Sequence, residues 1–306
     1  MKVAITGATG FIGSHLVAGL HQSGHDIVVL SRDRDRARRV FPEVAFPRVE
    51  TIPYTPLQLG DWQRAIASCD GVVNLAGAPI AERWTPAHKQ AIQDSRIKAT
   101  AVLVDAIAQA DPKPTVLVSA SAIGYYGTSE TAVFDETSTP IQTDFLSQLC
   151  QDWEATARQA EAAGVRVVIP RFGIVLGQGG ALARMLTPFR LFAGGPIGSG
   201  RQWFSWIHID DLVSLITKAL TDSTMQGVYN GTAPAPVTMA TACDALGQAL
   251  HRPSWLPVPD FVIQALLGDA AIVVLQGQQV LPKRTQAAGF TYQYPTVAAA
   301  MKAVVT

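Results

Sequence analysis

Residues 2–13 read KVAITGATGFIG, and the fold class depends on how that stretch is parsed. Lys2 to Thr6 is an apolar run of strand length, Gly7, Gly10 and Gly13 punctuate the turn beyond it, and from Ser14 to Ser23 the residues Leu16, Val17 and Leu20 recur at helical spacing. Each glycine has a reason in such a unit. One allows the sharp turn, one lets backbone approach a pyrophosphate, and one lets helix and strand pack closely. Phosphates would then rest on the first amides of the helix, where the dipole favours negative charge. An ordinary βα loop is the plainer reading, but the strand before, the helix after and the next strand at Val28-Val29-Leu30 supply the context the motif requires.

That second strand, Asp26 to Leu30, runs into Ser31 and Arg32 where an NAD-specific fold places an acid for the ribose hydroxyls. Arg32 there favours the 2′-phosphate of NADP(H), while Arg34, Arg36, Arg38 and Arg39 read as a solvated helix face. Val49 to Tyr54 suits a third strand. Asp70 to Leu75 suits a central one, closing in Asn74, Ala76 and Gly77, small residues beside which a nucleotide passes closely. Trp84-Thr85-Pro86 is a helix start, with Thr85 as N-cap and Pro86 at the first helical position, and the helix is expected to reach about Ala110. Ile92, Arg96, Ala99 and Leu103 share one stripe of it. Arg96 therefore needs an anionic or carbonyl partner, and either binds substrate or ties helix to strand.

Thr115 to Ser119 and Val165 to Pro170 add buried strands, and Glu130 to Asp144, lacking periodicity, reads as a long active-site loop. Leu182 to Phe192 has the pattern of an amphipathic helix, and residues 194–203 of a flexible turn leading to an edge strand. Arg201, Trp203, Ser205 and Trp206 are expected either to face a pocket for a flat or anionic ligand or to close a seam between lobes. Phe261 to Leu275 is too short to span a bilayer and reads as core more readily than as a dimer patch. The last helix, Thr296 to Val304, is expected on the outside.

Lys plus Arg (24) balance Asp plus Glu (24), so no basic field points to nucleic acid or an anionic membrane, and a small molecule is the expected partner. Cys69, Cys150 and Cys243 are not in CxxC spacing and have no histidine cluster near them, so neither a disulfide framework nor a metal site is expected. A strand beginning at Lys2 leaves no room for a signal peptide, which places the protein in the cytoplasm or an organelle stroma as a monomer or homodimer.

The motifs TGATGFIG (6–13), NLAGAPI (74–80), RWT (83–85), SRI (95–97), SASAIGYYG (119–127), DFLSQLCQDWE (144–154), QWFSWIHIDD (202–211) and PKR (282–284) run through nearly the whole chain. Together they resemble the atypical "epimerase family" subgroup of the extended short-chain dehydrogenase/reductases, also called cell-division inhibitor homologues. The resemblance implies a doubly wound α/β Rossmann sheet, with residues 1–170 and about 206–231 in the NADP-binding domain, 171–205 and 232–295 in a smaller substrate lobe, and 296–306 as a terminal helix. It implies cofactor contacts from Gly7, Thr9, Gly10, Phe11, Ile12, Gly13, Ser31, Arg32, Asn74, Ala76, Gly77, Ser119 and Arg171, and substrate contacts from Arg96, Arg201, Trp203 and Trp206. HIDD would start a helix, Asp210 or Asp211 capping it and His208 serving as a linker.

The catalytic pattern departs from the family. The usual Tyr and Lys, four residues apart on one helix face, move a proton and hold the nicotinamide ribose. If Glu154 is the acid that comes after them, their places hold Leu146 and Cys150, which can do neither. Ser121 matches the family's polar group at the reacting oxygen, and Tyr125 or Tyr126 is left to supply a phenol. Two functions are consistent with this: an NADP(H)-dependent oxidoreductase or epimerase-like enzyme acting on a small carbonyl or hydroxyl compound, or a catalytically silent NADP(H)-binding regulator, linked to cell division by the homologues' name.

Overall fold

The computed structural model describes residues 1–305. Strand and helix alternate from the start: β1 (Lys2–Thr6), α1 (Phe11–Gln22), β2 (Asp26–Ser31), α2 (Arg34–Val40), β3 (Val49–Pro53), α3 (Gln63–Ala67) and β4 (Gly71–Asn74). Then come α4 (Pro86–Gln93), a π turn (Asp94–Lys98), α5 (Ala99–Gln109), β5 (Val116–Ser119), β6 (Ser121–Ala122), β7 (Val133–Phe134), α6 (Phe145–Arg158) and β8 (Arg166–Phe172). The remainder comprises β9 (Ile174–Leu176), α7 (Gly180–Arg190), β10 (Trp203–Phe204), β11 (Trp206–His208), α8 (Ile209–Thr221), β12 (Gly227–Gly231), β13 (Val237–Thr238), α9 (Met239–Leu250), α10 (Asp260–Leu267), α11 (Ile272–Leu275), β14 (Gln279–Val280), α12 (Lys283–Ala287) and α13 (Val297–Val305).

The main sheet has the order β12-β8-β5-β4-β1-β2-β3, all parallel, with β6 prolonging β5's side of β8. Its strands are apolar along their length because helices cover both faces. Val3, Ile5 and Val29 face α1 and α8, whereas Ala4, Val28 and Val72 face α5. The order reverses between β1 and β4, which opens a crevice at the carboxyl ends of those strands. A third core, around Trp206, Phe204 and Phe189, joins α7, α9 and α13 in the smaller lobe.

Three expectations need correction. α13 is not an outer decoration, since Val297, Ala300, Met301 and Val304 are buried in that third core. Residues 130–144 are not a free loop: β7 pairs with β14, and Phe134 packs with Tyr126 and Val280. Phe261–Leu275 is not core, for Phe261 and Leu266 are 70% and 66% exposed. The long helix from Pro86 runs to Gln109 as expected and widens into a π turn at Asp94–Lys98, where the Ser95 hydroxyl and the Arg96 guanidinium both bond the Ile92 carbonyl (3.1 and 3.4 Å).

Candidate functional site

The glycine turn explains itself geometrically. Gly7 has φ of +69°, and a Cβ on it would lie 2.7 Å from the Leu75 carbonyl carbon, so both the turn and the approach of β1 to the chain beyond β4 demand glycine. A Cβ on Gly13 would lie 2.6 Å from Ala8 Cα, which fixes how closely α1 meets the turn. Gly10 caps α1 with no side-chain bond, and no acid stands in the first turn. The leading amides of α1, with no intrahelical acceptors, thus remain available to an anion. Thr9 and Ile12 are half-buried beside them. The Phe11 ring sits among three later glycines: a Cβ on Gly177 or Gly179 would fall 2.7 or 2.6 Å from it.

At the end of β2, Ser31 donates to the Asp33 carbonyl (2.9 Å) and Asp33 caps α2 through the Arg36 amide (2.8 Å). Arg32 is exposed, with no hydrogen bond or ion pair among the described residues. Ala76 and Gly77 come directly after β4 and reach the surface of the crevice. Asn74 and Ser119 do not present their side chains there. Asn74 accepts from Thr6 Oγ1 (2.8 Å) and donates to Thr100 Oγ1 (2.9 Å) and Ser119 Oγ (3.3 Å), all buried, while Trp153 Nε1 closes the network on Thr100 (2.9 Å). Those two side chains tie strand ends together.

A second polar cluster lies under β5, β6 and β8. Arg171 is 3% exposed and pairs with Glu154 through two bonds, Nε to Oε1 at 2.7 Å and Nη2 to Oε2 at 2.8 Å. Ser121 Oγ donates to the same Oε1 at 2.7 Å. Burial opposes the Arg171 charge, but the bonds and charge of Glu154 outweigh it and hold the guanidinium above its ordinary pKa. Tyr125 lies flat against that cation, 3.3 Å from guanidinium carbon to ring centroid. Its hydroxyl bonds no described residue, and the side chain is half-exposed. Tyr126 differs: it is wholly buried, its hydroxyl donates to Asn230 Oδ1 at 2.8 Å, and burial pushes its pKa up to about 12. It is a core residue.

Leu146 and Cys150 face this cluster from α6; a Cβ on Gly124 would lie 3.6 Å from Leu146 Cβ and 3.9 Å from Cys150 Sγ. Burial pushes the Cys150 thiol up to about 12, which leaves it neutral and a poor nucleophile. Arg96 is half-buried; its Nη1 donates to the Ala78 carbonyl (3.1 Å) and its guanidinium stands over Trp153 at 5.3 Å.

The four residues expected to share a pocket do not converge. Trp206 is fully buried and bonds the Ala235 carbonyl (3.2 Å), Ser205 bonds the Gln278 carbonyl (2.7 Å), Trp203 bonds the Glu130 carbonyl (2.8 Å), and Arg201 lies exposed 3.6 Å from Glu130. The helix cap at HIDD is His208 itself, Nδ1 accepting from the Asp210 amide (3.2 Å), while Asp211 holds the amides of Gln293 and Tyr294. The part played by Glu154 was foreshadowed by an acid on the apolar face of α6, beside Cys150, Trp153 and Ala157. Asn230 carried no such signal. Among the described residues no group of three or more His, Cys, Asp or Glu could hold a metal ion, and no helix is long and apolar enough to cross a membrane.

A parallel α/β sheet with an uncapped, glycine-bounded helix start at its switch point defines a Rossmann-type dinucleotide-binding protein. The chain belongs to the NAD dependent epimerase/dehydratase family, whose model matches residues 3–230; residues 258–304 match a domain of unknown function, DUF1731. It is 51% identical to the chloroplastic epimerase family protein SDR39U1 homolog of Arabidopsis thaliana, over 99% of this chain and 86% of that one. The crystal structure of human epimerase family protein SDR39U1 with NADPH superposes with a TM-score of 0.86 at 38% identity, covering 99% of both chains. A nucleoside-diphosphate sugar epimerase from Corynebacterium glutamicum gives a TM-score of 0.79 at 30% identity, over all of this chain and 58% of that one.

Proposed function

We propose that the chain binds NADP(H) across the ends of β2, β1 and β4 and uses it as an oxidoreductase or epimerase-like enzyme on a small carbonyl or hydroxyl compound. The observation that carries this is the pairing of open α1 amides with an unpartnered Arg32 at the end of β2. The amides suit a pyrophosphate, and the guanidinium suits a 2′-phosphate dianion. A relative matched over 99% of both chains is crystallised with NADPH. Bound NADPH supplies a hydride. This chain's residues would do the rest: Gly7 and Gly13 shape the turn that presents the α1 amides to the phosphates, and Tyr125, on the Arg171 cation, holds or gives up the accompanying proton at its phenol oxygen. Ser121 is left to position Glu154, because its hydroxyl hydrogen is already engaged. We assign the cofactor domain to residues 1–170 with about 206–231, and the cellular location to the cytoplasm or, as the relative named chloroplastic suggests, a plastid stroma.

Calorimetry of wild type and Arg32→Ala against NADPH and NADH tests the cofactor reading. Arg32→Ala is expected to weaken NADPH roughly 10- to 100-fold, the size of a charge-assisted contact, and to leave NADH unchanged. Equal loss for both removes Arg32 from phosphate recognition. NADPH oxidation by a panel of carbonyl compounds, lost in Tyr125→Phe and retained in Tyr126→Phe, tests the chemistry.

The second reading, a silent NADP(H)-binding regulator, is favoured by Leu146 and Cys150 on α6, which stand in the places of the usual Tyr and Lys if Glu154 is the acid that follows them. Any catalysed turnover excludes it, and a link to cell division rests on the resemblance alone.

A further inference from the structure

Arg96 carries a charge that no carboxylate of the described residues pairs. It is half-buried, and burial lowers its pKa. A guanidinium stays protonated in such a place, so the charge persists without a carboxylate. Nη1 bonds the carbonyls of Ala78 and Ile92, and no described residue accepts from Nε or Nη2. The π turn from Asp94 to Lys98 packs on α6, and the guanidinium there lies between Trp153 and Gly77. The two are close: a Cβ on Gly77 would fall 2.9 Å from Arg96 Cζ. Helical π turns are rare and recur at functional sites.

Position along the sheet says what the charge is for. Arg32 lies beyond β2, the glycine turn beyond β1, and Gly77 beyond β4, three neighbouring places on one crevice. A dinucleotide with its 2′-phosphate at Arg32 and its pyrophosphate at the turn has its nicotinamide half at the third place. We infer that Arg96 contacts the cofactor there, its guanidinium binding the nicotinamide ribose hydroxyls from the π turn and supplying the cation that position 150 on α6 lacks. A lysine at 150 would put a second cation beside Arg96; the neutral thiol avoids that clash.

This assignment rests on the dinucleotide reading, so the test separates the two. NADPH and adenosine 2′,5′-bisphosphate, which lacks the nicotinamide half, are titrated calorimetrically into wild type, Arg32→Ala, Arg96→Gln and Arg96→Lys, with thermal melts confirming that each is folded. Arg96→Gln is expected to weaken NADPH about 10-fold or more and to leave the bisphosphate unchanged, with Arg96→Lys between it and wild type. Arg32→Ala is expected to weaken both ligands. Arg96→Gln that binds NADPH as wild type does, or that weakens both ligands equally, overturns the assignment; if Arg96→Gln does not fold, Arg96→Lys decides by the same two readouts. Wild-type protein that binds neither ligand overturns the dinucleotide reading and the role of Arg96 with it, a failure distinct from one confined to the Arg96 variants.

Discussion

Arg32 and Arg171 both sit just beyond or within parallel strands of one sheet, yet the molecule treats them in opposite ways. Arg32 is exposed and has no partner, whereas Arg171 is 3% exposed and held by two short bonds to Glu154. A charge left without a protein partner at a strand end is available to a ligand. A charge held by a carboxylate in the interior is part of the fold, because breaking such a pair strands an uncompensated ion. Residue type and strand position alone do not separate the two cases; the neighbours do.

The largest expected effect tests the paired end. Glu154→Ala should lower unfolding free energy by about 3–5 kcal/mol, since Arg171 would remain buried with its charge uncompensated. Urea unfolding measures this, and a loss no larger than that of Arg32→Ala, expected within about 0.5 kcal/mol of wild type as a surface change, would erase the contrast. NADPH affinity of the folded variant should be retained, because neither the amides nor Arg32 is touched. A smaller effect belongs to the phenols packed on Arg171. Tyr126→Phe deletes a buried bond to Asn230 and should cost about 0.5–1.5 kcal/mol, while Tyr125→Phe should leave stability near wild type. Equal costs would mean that the Tyr125 hydroxyl is engaged in solution.

The open end of the crevice was the legible one. Glycine spacing, strand length and helical period are local properties, so the β1–α1 turn, the end of β2 before Arg32 and the parallel sheet could be read from neighbouring residues. The paired end depends on contacts between distant segments. Tyr126 and Asn230 are 104 positions apart, and Ser121 and Glu154 are 33 apart, so which hydroxyl is engaged and which is free had no local signature. The same cause misled the reading of residues 130–144. Glu136 accepts from the amides of Asn230 and Arg284 (2.9 and 3.0 Å), fastening an aperiodic stretch to segments far along the chain. Trp206 was left between a pocket and a seam because an aromatic beside an arginine looks alike in both, and its burial excludes the pocket.

Full pairing does not by itself make a charge structural, and the pair between Lys283 and Asp135 sharpens that point with the smallest effect. Their atoms are 2.7 Å apart, as close as in the buried pair, but the lysine side chain is 65% exposed. The bond to Lys283 first, then those from Thr137, holds the Asp135 carboxyl well below the usual carboxylate range. A depressed folded-state pKa means that the contribution is complete above the unfolded value of about 3.9 and is lost as pH falls below it. Water screens the pair, so its contribution at pH 7 should be small. Lys283→Met should therefore be slightly less stable than wild type at neutral pH, and the gap should narrow as unfolding curves are recorded from pH 5 down to about pH 2, where Asp135 is protonated in the unfolded chain. A gap that stays constant with pH would assign the effect to packing of the lysine stem, and a gap as large as that of Glu154→Ala would show that burial is not what separates the two ends of this molecule.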